Sequence, residues 1–421
     1  MLCLLARAAE QYGDNPALVD SLSSLSFRDF DREVDHLSRR LCSVGVGASS
    51  CIAYLLSNSV EQVILLMALI QLRAVACPIS SRLPQSGVDA CLRKVDADML
   101  ITEGAALSGN VCPTLTLADL ARSGETDPLP ADQTLDQPAV IFFTSGSTGE
   151  PKAVLLTLGN LYYSALGSNE NILFGPGDRW LLTLPLYHVG GLGILFRALV
   201  GGGSMVIENA NDDMTESIRR HEITHLSLVS TQLQRLLVSK ERRKVALPSL
   251  KSILLGGSGI PSELVRTSVE RGLPIHTSYG LTEMASQVTT TPTHSPLGML
   301  LTSGRLLPYR ELRISDSGEI EVRGETRFAG YVDGRQLITP FDADGWFATG
   351  DLGSLDADGC LTVKGRRDSM FISGGENIYP EEIERALCLI DGITDAIVVP
   401  APHPEYGFRP CAFVQSERDI D

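Results

Sequence analysis

Five apolar residues, Ala139-Val140-Ile141-Phe142-Phe143, run without a break into Thr144-Ser145-Gly146-Ser147-Thr148-Gly149-Glu150-Pro151-Lys152. A buried strand here hands over to a loop suited to anions. Its glycines let backbone N–H groups converge on oxygens, its hydroxyls add donors, and its lysine supplies a point charge. A sheet edge built this way grips a polyphosphate. The spacing is not that of a Walker loop, which needs Gly, four residues, then Gly-Lys-Ser/Thr. A Ser/Gly linker has a similar composition, but linkers rarely follow five apolar residues directly.

The surrounding sequence predicts the layers that would hold such a loop. Helical periodicity marks Phe27–Leu41, Ser59–Leu72 and Leu158–Gly167. Short β-branched runs mark strands at Ile52–Leu56, Val140–Phe143, Trp180–Leu184, Ser204–Ile207, His225–Val229 and Ser252–Leu255. Alternation of this kind predicts an α/β fold with largely parallel strands. From about Glu311 the texture changes to short alternating strands between Asp/Gly turns, which predicts a small antiparallel sheet or barrel-like subdomain over 311–364. Gly365-Arg366-Arg367-Asp368 breaks the pattern, and a helix opens at Pro380 with acids in its first turn. Strands follow at Ala396–Val399 and Cys411–Val414. The expected division is an N-terminal unit, 1–364, and a partial α+β C-terminal unit, 365–421.

Charge narrows the partners. The chain has 35 basic and 51 acidic side chains, a formal net charge of −16, which argues against a nucleic acid or an anionic membrane. A polyanionic substrate must therefore be drawn in by local cations near the glycine loops. The nine cysteines are scattered with no C-x-x-C pair, a pattern of free thiols in a reducing cytosol. The N-terminus lacks a basic n-region, and the longest apolar run, Val63 to Ile70, is far shorter than a membrane span. A cytoplasmic protein without membrane insertion is expected.

Four further constellations are modest singly. Tyr279-Gly280-Leu281-Thr282-Glu283 offers a turn, a hydroxyl for a phosphate and a carboxylate for Mg²⁺, though any Tyr-Gly turn before a helix looks the same. Leu254-Leu255-Gly256-Gly257-Ser258-Gly259-Ile260-Pro261 could let an adenine lie against bare backbone, or be a tight turn. Asp351, after Trp346-Phe347-Ala348-Thr349-Gly350, could accept both ribose hydroxyls or be a solvated turn residue. Gly365-Arg366-Arg367-Asp368, with Ser373-Gly374-Gly375-Glu376-Asn377 behind it, offers a cation and a mobile glycine segment, or a charged linker.

Jointly and in this order, the motifs resemble the adenylate-forming superfamily of acyl-CoA synthetases, firefly luciferase and peptide-synthetase adenylation domains, from about Ala6 onward. Leu184-Pro185-Leu186-Tyr187-His188-Val189-Gly190-Gly191, Arg197, Gly256–Pro261 and Phe371–Glu382 look most like the o-succinylbenzoate–CoA ligases of menaquinone synthesis. The resemblance implies ATP, Mg²⁺ and coenzyme A as reactants and cofactor, and a small carboxylic acid as substrate. A medium-chain or aryl acyl-CoA synthetase, or a non-catalytic nucleotide or adenylate binder, are the alternatives. Self-association as a homodimer is left open.

The same resemblance implies roles for particular residues. Thr144, Ser145, Gly146, Ser147, Thr148, Gly149 and Lys152 would hold the β- and γ-phosphates, Thr282 the α-phosphate, and Glu283 the magnesium. Tyr279 and Gly280 would lie along the adenine beside Gly257 and Ser258, while Asp351 and Arg366 would take the ribose. His188 would gate the acyl pocket, with Gly190, Gly191 and Gly256 around it, and Asp368 would be the pivot between domains. Arg197 sits alone in the apolar segment Gly193–Val200. It either snorkels to the surface or pairs with the second carboxylate of the acid. The resemblance also implies a late catalytic lysine, but no lysine follows Lys364. The expectation is a reading frame that continues past Asp421 with a Gly/Lys-containing segment. Tyr309 stands where the resemblance implies a glycine, in Gly304-Arg305-Leu306-Leu307-Pro308-Tyr309.

Overall fold

The computed structural model describes residues 3–104, 111–127, 133–145, 151–208, 212–243, 246–257, 259–373, 376–388, 390, 392–404 and 406–416. Helices form where an apolar face follows an N-cap. Phe27–Ser43 starts behind Ser26, whose hydroxyl accepts the Asp29 N–H, and it buries Phe27, Phe30, Val34 and Leu41 on one side. Val60–Gln71, the long apolar run, is buried on nearly every face. Among the described residues no helix is long and apolar enough to cross a membrane.

Two large sheets supply the layers. In a nine-stranded sheet, Ser204–Val206, Arg179–Leu181, His225–Leu228, Ser252–Leu255 and Ile275–Leu281 run parallel. In an eight-stranded sheet, parallel strands Met99–Thr102, Cys51–Leu55 and Val75–Pro78 lead to the antiparallel pair Pro138–Ser145 and Pro151–Thr157. One apolar cluster joins Ile52 and Phe142 of one sheet to Trp180 and Leu254 of the other through Leu66 and Leu195 on helices. The predicted α/β layering is thus the observed one. The strand expected over Trp180–Leu184 ends at Leu181. Thr183 gives its hydroxyl to the Ser227 carbonyl, and Pro185 has no N–H for a ladder.

Arg310–Ile314, Glu319–Gly324, Phe347–Leu355 and Leu361–Arg366 form a four-stranded antiparallel sheet. Not all of 311–364 belongs to it. Gly330–Asp333 and Gln336–Ile338 leave to extend the eight-stranded sheet, which sets Tyr331 opposite Val154. Tyr309 holds the left-handed backbone that a glycine would supply, at φ 66°, a conformation costing a side-chain-bearing residue about 1–2 kcal/mol. Its ring lies 5.2 Å from that of Tyr163, and its hydroxyl donates to Glu170 at 3.2 Å; these contacts offset the strain.

The C-terminal stretch carries more strand than expected. Phe371–Ser373 and Glu376–Ile378 join Gly407–Ser416 and Ile393–His403 in a second four-stranded sheet beside the helix Pro380–Leu387. The two long strands outrun the predicted Ala396–Val399 and Cys411–Val414 through Pro400, Pro402 and Pro410. Proline is tolerated where no neighbour asks for its N–H. Pro400 faces Pro410 across the pair, and Ile393–His403 is an edge strand.

One buried histidine ties this core to pH. His225 is 1% exposed; its Nδ1 meets the Thr224 hydroxyl at 2.7 Å and its Nε2 meets the Leu173 carbonyl at 3.0 Å. Burial pushes its pKa down to about 4, Lys251 and His276 adding to the effect and Asp178 opposing it. A depressed histidine pKa favours the fold fully above the ordinary value of about 6.5, and the advantage drains away as pH falls toward 4. A loss of roughly 3 kcal/mol across that window is expected. Denaturant titrations at several pH values should show this, and His225→Gln should shrink it, the buried His276 keeping the remainder.

Candidate active site

The strand leading into the candidate anion loop is buried, as its sequence suggests. Ala139, Val140, Ile141 and Phe142 are buried, and the antiparallel register sets Thr144 opposite Lys152 and Ser145 opposite Pro151. Gly146, Ser147, Thr148 and Gly149, like Ser258, lie outside the described residues. Lys152 holds its ammonium 5.4 Å from the centre of the Tyr331 ring. The Tyr331 hydroxyl donates to Glu283 Oε1 at 2.8 Å, and Glu283 sits with Thr282 in the short turn after Ile275–Leu281. Tyr331 therefore bridges the loop lysine and the candidate magnesium ligand. A lone carboxylate beside a hydroxyl suits a hard cation that takes its other ligands from water and phosphate. Among the described residues no group of three or more His, Cys, Asp or Glu could form an all-protein cage.

The same strand carries the candidate ribose contacts. Tyr279 donates its hydroxyl to Asp351 Oδ2 at 2.6 Å, and Arg366 Nη1 donates to Oδ1 at 3.1 Å. Asp351 and Arg366 are direct cross-strand partners. Gly350, at φ 77°, lets the chain turn with the Arg366 guanidinium only 3.3 Å from where a Cβ would stand. Burial raises the Asp351 pKa, against the hydrogen bonds of Tyr279 and Arg366. Each carboxylate oxygen keeps a second lone pair for a ligand hydroxyl. A cleft of about 450 Å³ opens here, lined by Gly257, Ser278, Tyr279, Gly280, Asp351 and Arg366 among others.

Arg197 does not snorkel. It is 1% exposed in the helix Val189–Gly201, with its guanidinium 4.9 Å from the centre of the Trp180 ring. Nε donates to Ser168 and Nη2 to Gln287 Oε1, both at 2.8 Å, while Nη1 has no hydrogen-bond partner. Burial lowers its pKa to about 10, so it remains charged at neutral pH. Gln287 pairs in register with Gly280, which sets this cation one strand behind the candidate nucleotide motif.

The remaining candidates are more dispersed. His188 is exposed at the N-cap of the Arg197 helix, its ring 4.8 Å from that of Tyr187. Gly190 and Gly191 form that helix's first turn, where a Cβ on Gly191 would run into the Leu184 and Pro185 carbonyls. Gly256 passes 2.8 Å from Ser278 Oγ, measured from an added Cβ. Asp368 is exposed in the turn after Leu361–Arg366. The residues flanking it on the N-terminal side are anchored, Arg366 on Asp351 and Arg367 on the buried Glu319. Tyr331, Gln287, Ser168 and Glu319 escape a reading of the sequence, since each is defined by a partner distant along the chain.

The α/β layers around this hairpin and aspartate are shared with known enzymes. The AMP-binding enzyme family matches residues 5–332, and the chain belongs to that family. Among its relatives is the 2-succinylbenzoate–CoA ligase of Bacillus pumilus, 34% identical over 419 residues that cover 96% of this chain and 86% of the relative. Among solved structures, o-succinylbenzoate CoA synthetase from Bacillus subtilis in complex with the acyl-adenylate intermediate OSB-AMP superposes with a TM-score of 0.92 at 30% identity, covering 100% of this chain and 89% of that one. The same enzyme in complex with ATP and magnesium ion gives a TM-score of 0.91 at 30% identity, over 100% of this chain and 90% of that one.

Proposed function

We propose that the chain is an ATP-dependent acid–CoA ligase working through an acyl-adenylate, with o-succinylbenzoate as its acid. The observation that carries this reading is the register of one strand pair: Gly280 of the nucleotide motif faces Gln287, and Gln287 holds Arg197. The candidate nucleotide motif and a cation suited to a second carboxylate thus lie one strand apart. The relatives named for this acid support the choice.

In the first half-reaction a substrate carboxylate oxygen attacks the α-phosphorus of ATP. The bond to pyrophosphate breaks, leaving acyl-adenylate and pyrophosphate. In the second, the CoA sulfur attacks the acyl carbon and loses its proton, AMP departs with the C–O electron pair, and a thioester remains. Two anions must meet in the first step, so catalysis is mostly positioning and neutralisation. Thr144 and Lys152 hold the terminal phosphates, Thr282 the α-phosphate, and Asp351 with Arg366 the ribose. Magnesium on Glu283, when bound, neutralises charge between phosphate oxygens. Residues 365–421 move as a small unit about Asp368 between the half-reactions. The reading carries a cytoplasmic location with it, consistent with free thiols at all nine cysteines.

ATP–pyrophosphate exchange on the full-length protein tests the assignment. Exchange with o-succinylbenzoate should exceed that with benzoate or fatty acids at least ten-fold; equal rates would remove the substrate, and no exchange with any acid would remove the ligase. Tyr331→Phe should weaken Mg·ATP binding about ten-fold by freeing Glu283. Calorimetry should find AMP binding unchanged.

A further inference from the structure

The most unusual feature of the interior is two buried guanidinium groups with no acid between them. Arg310 is 5% exposed. Its Nε donates to the Gln287 carbonyl at 2.6 Å, Nη1 to the Pro308 carbonyl at 2.6 Å, and Nη2 to the Ser164 carbonyl and hydroxyl at 3.2 and 3.1 Å. Burial, reinforced by the charge of Arg197, pulls its pKa down to about 9. Among the described residues every hydrogen-bond acceptor of Arg197 and Arg310 is a neutral oxygen, and no carboxylate acts on the charge of either. Close approach is built in: a Cβ on Gly167 would stand 2.5 Å from Arg310 Nη1.

Uncompensated buried cations are costly, and evolution ordinarily pairs them. Gln287 is the position where pairing would be easiest, since it already touches both: its side-chain oxygen accepts from Arg197 and its backbone carbonyl from Arg310. Its amide is oriented unambiguously. Ser168 Oγ also donates to Oε1 at 2.8 Å. On the other side Nε2 donates at 2.7 Å to Thr290 Oγ1, whose own proton goes to the Thr289 carbonyl. A glutamate would have nearly the same shape and would discharge Arg197.

We propose that Gln287 determines specificity by being neutral: it orients the buried Arg197 guanidinium without neutralising it, so that the cation, through its unpartnered Nη1, selects an acid carrying a second carboxylate. Gln287 acts through Arg197 and is a positioning residue. The inference rests on the dicarboxylate reading of the site.

The test compares two acids on the AMP-loaded protein by calorimetry: o-succinylbenzoate, and benzoylpropionate, the same skeleton without the ring carboxylate. Gln287→Glu should bind AMP and benzoylpropionate as the wild type does, melt at no lower temperature, and lose at least ten-fold of the preference for o-succinylbenzoate. A merely structural glutamine would move both acids together. Ser168→Asp offers the same carboxylate to Arg197 from the neighbouring helix and should repeat the result should Gln287→Glu fold poorly. A wild type without preference, or a preference that survives Arg197→Met, would overturn the dicarboxylate reading itself. A preference lost in Arg197→Met but kept in both carboxylate variants would overturn the role of Gln287 alone.

Discussion

Arg197→Met should weaken o-succinylbenzoate binding about 100-fold, leave benzoylpropionate and ATP unaffected, and raise the melting temperature. A hydrogen bond to a charged group is worth about 1.5–3 kcal/mol, and the upper end corresponds to roughly a hundred-fold in affinity. The gain in stability comes from the opposite side of the same physics. The folded protein holds Arg197 with neutral partners only, so removing the charge removes a desolvation cost that two hydrogen bonds and the Trp180 ring recover only in part. Methionine keeps the length of the side chain against Trp180, whereas alanine would add a cavity whose penalty of about 2–5 kcal/mol obscures the result. Little else is orphaned, because the Gln287 oxygen keeps its hydrogen bond from Ser168. Thermal melts and calorimetry with the two acids decide the matter. A lower melting temperature with equal loss for both acids would make Arg197 a structural residue.

What the sequence reveals of this site follows from how far apart its partners stand. The strand Ala139–Phe143 is legible because its apolar residues are consecutive, and the register sets Thr144 opposite Lys152. Tyr279, Thr282 and Glu283 are legible because they share one short run. Tyr331 is not. It reaches Glu283 because Gly330–Asp333 leaves the small antiparallel sheet to join the eight-stranded one beside Pro151–Thr157, and no local periodicity records which sheet a strand joins. Arg197 stands out as a charge among apolar residues, but its choice between surface and interior depends on the Ser168 and Gln287 acceptors, 29 and 90 residues away. Tyr309 departs from an implied glycine, and its left-handed backbone is read with its contacts to Tyr163 and Glu170, both distant along the chain. Prolines in Ile393–His403 read as strand ends, although an edge strand accommodates them.

Asp351→Asn should raise the dissociation constants of ATP and AMP about 10–100-fold, the range expected when a charged acceptor of hydrogen bonds becomes neutral. The substitution also turns one acceptor atom into a donor, leaving an amide facing either the Tyr279 hydroxyl or the Arg366 guanidinium that now meet at the carboxylate. A ribose contact can be separated from a folding effect with AMP lacking its 2′ hydroxyl. The wild type should lose affinity for that analogue, while the variant, already deprived of the acceptor, should lose little more. Equal losses in both proteins would mean that Asp351 braces the Tyr279–Arg366 contact without touching ribose. The pH dependence gives an independent sign. Burial raises the Asp351 pKa, so falling pH should protonate it, and weaken AMP binding, before ordinary surface carboxylates titrate. The asparagine variant has no such proton to gain, and its weaker affinity should stay level through the same range.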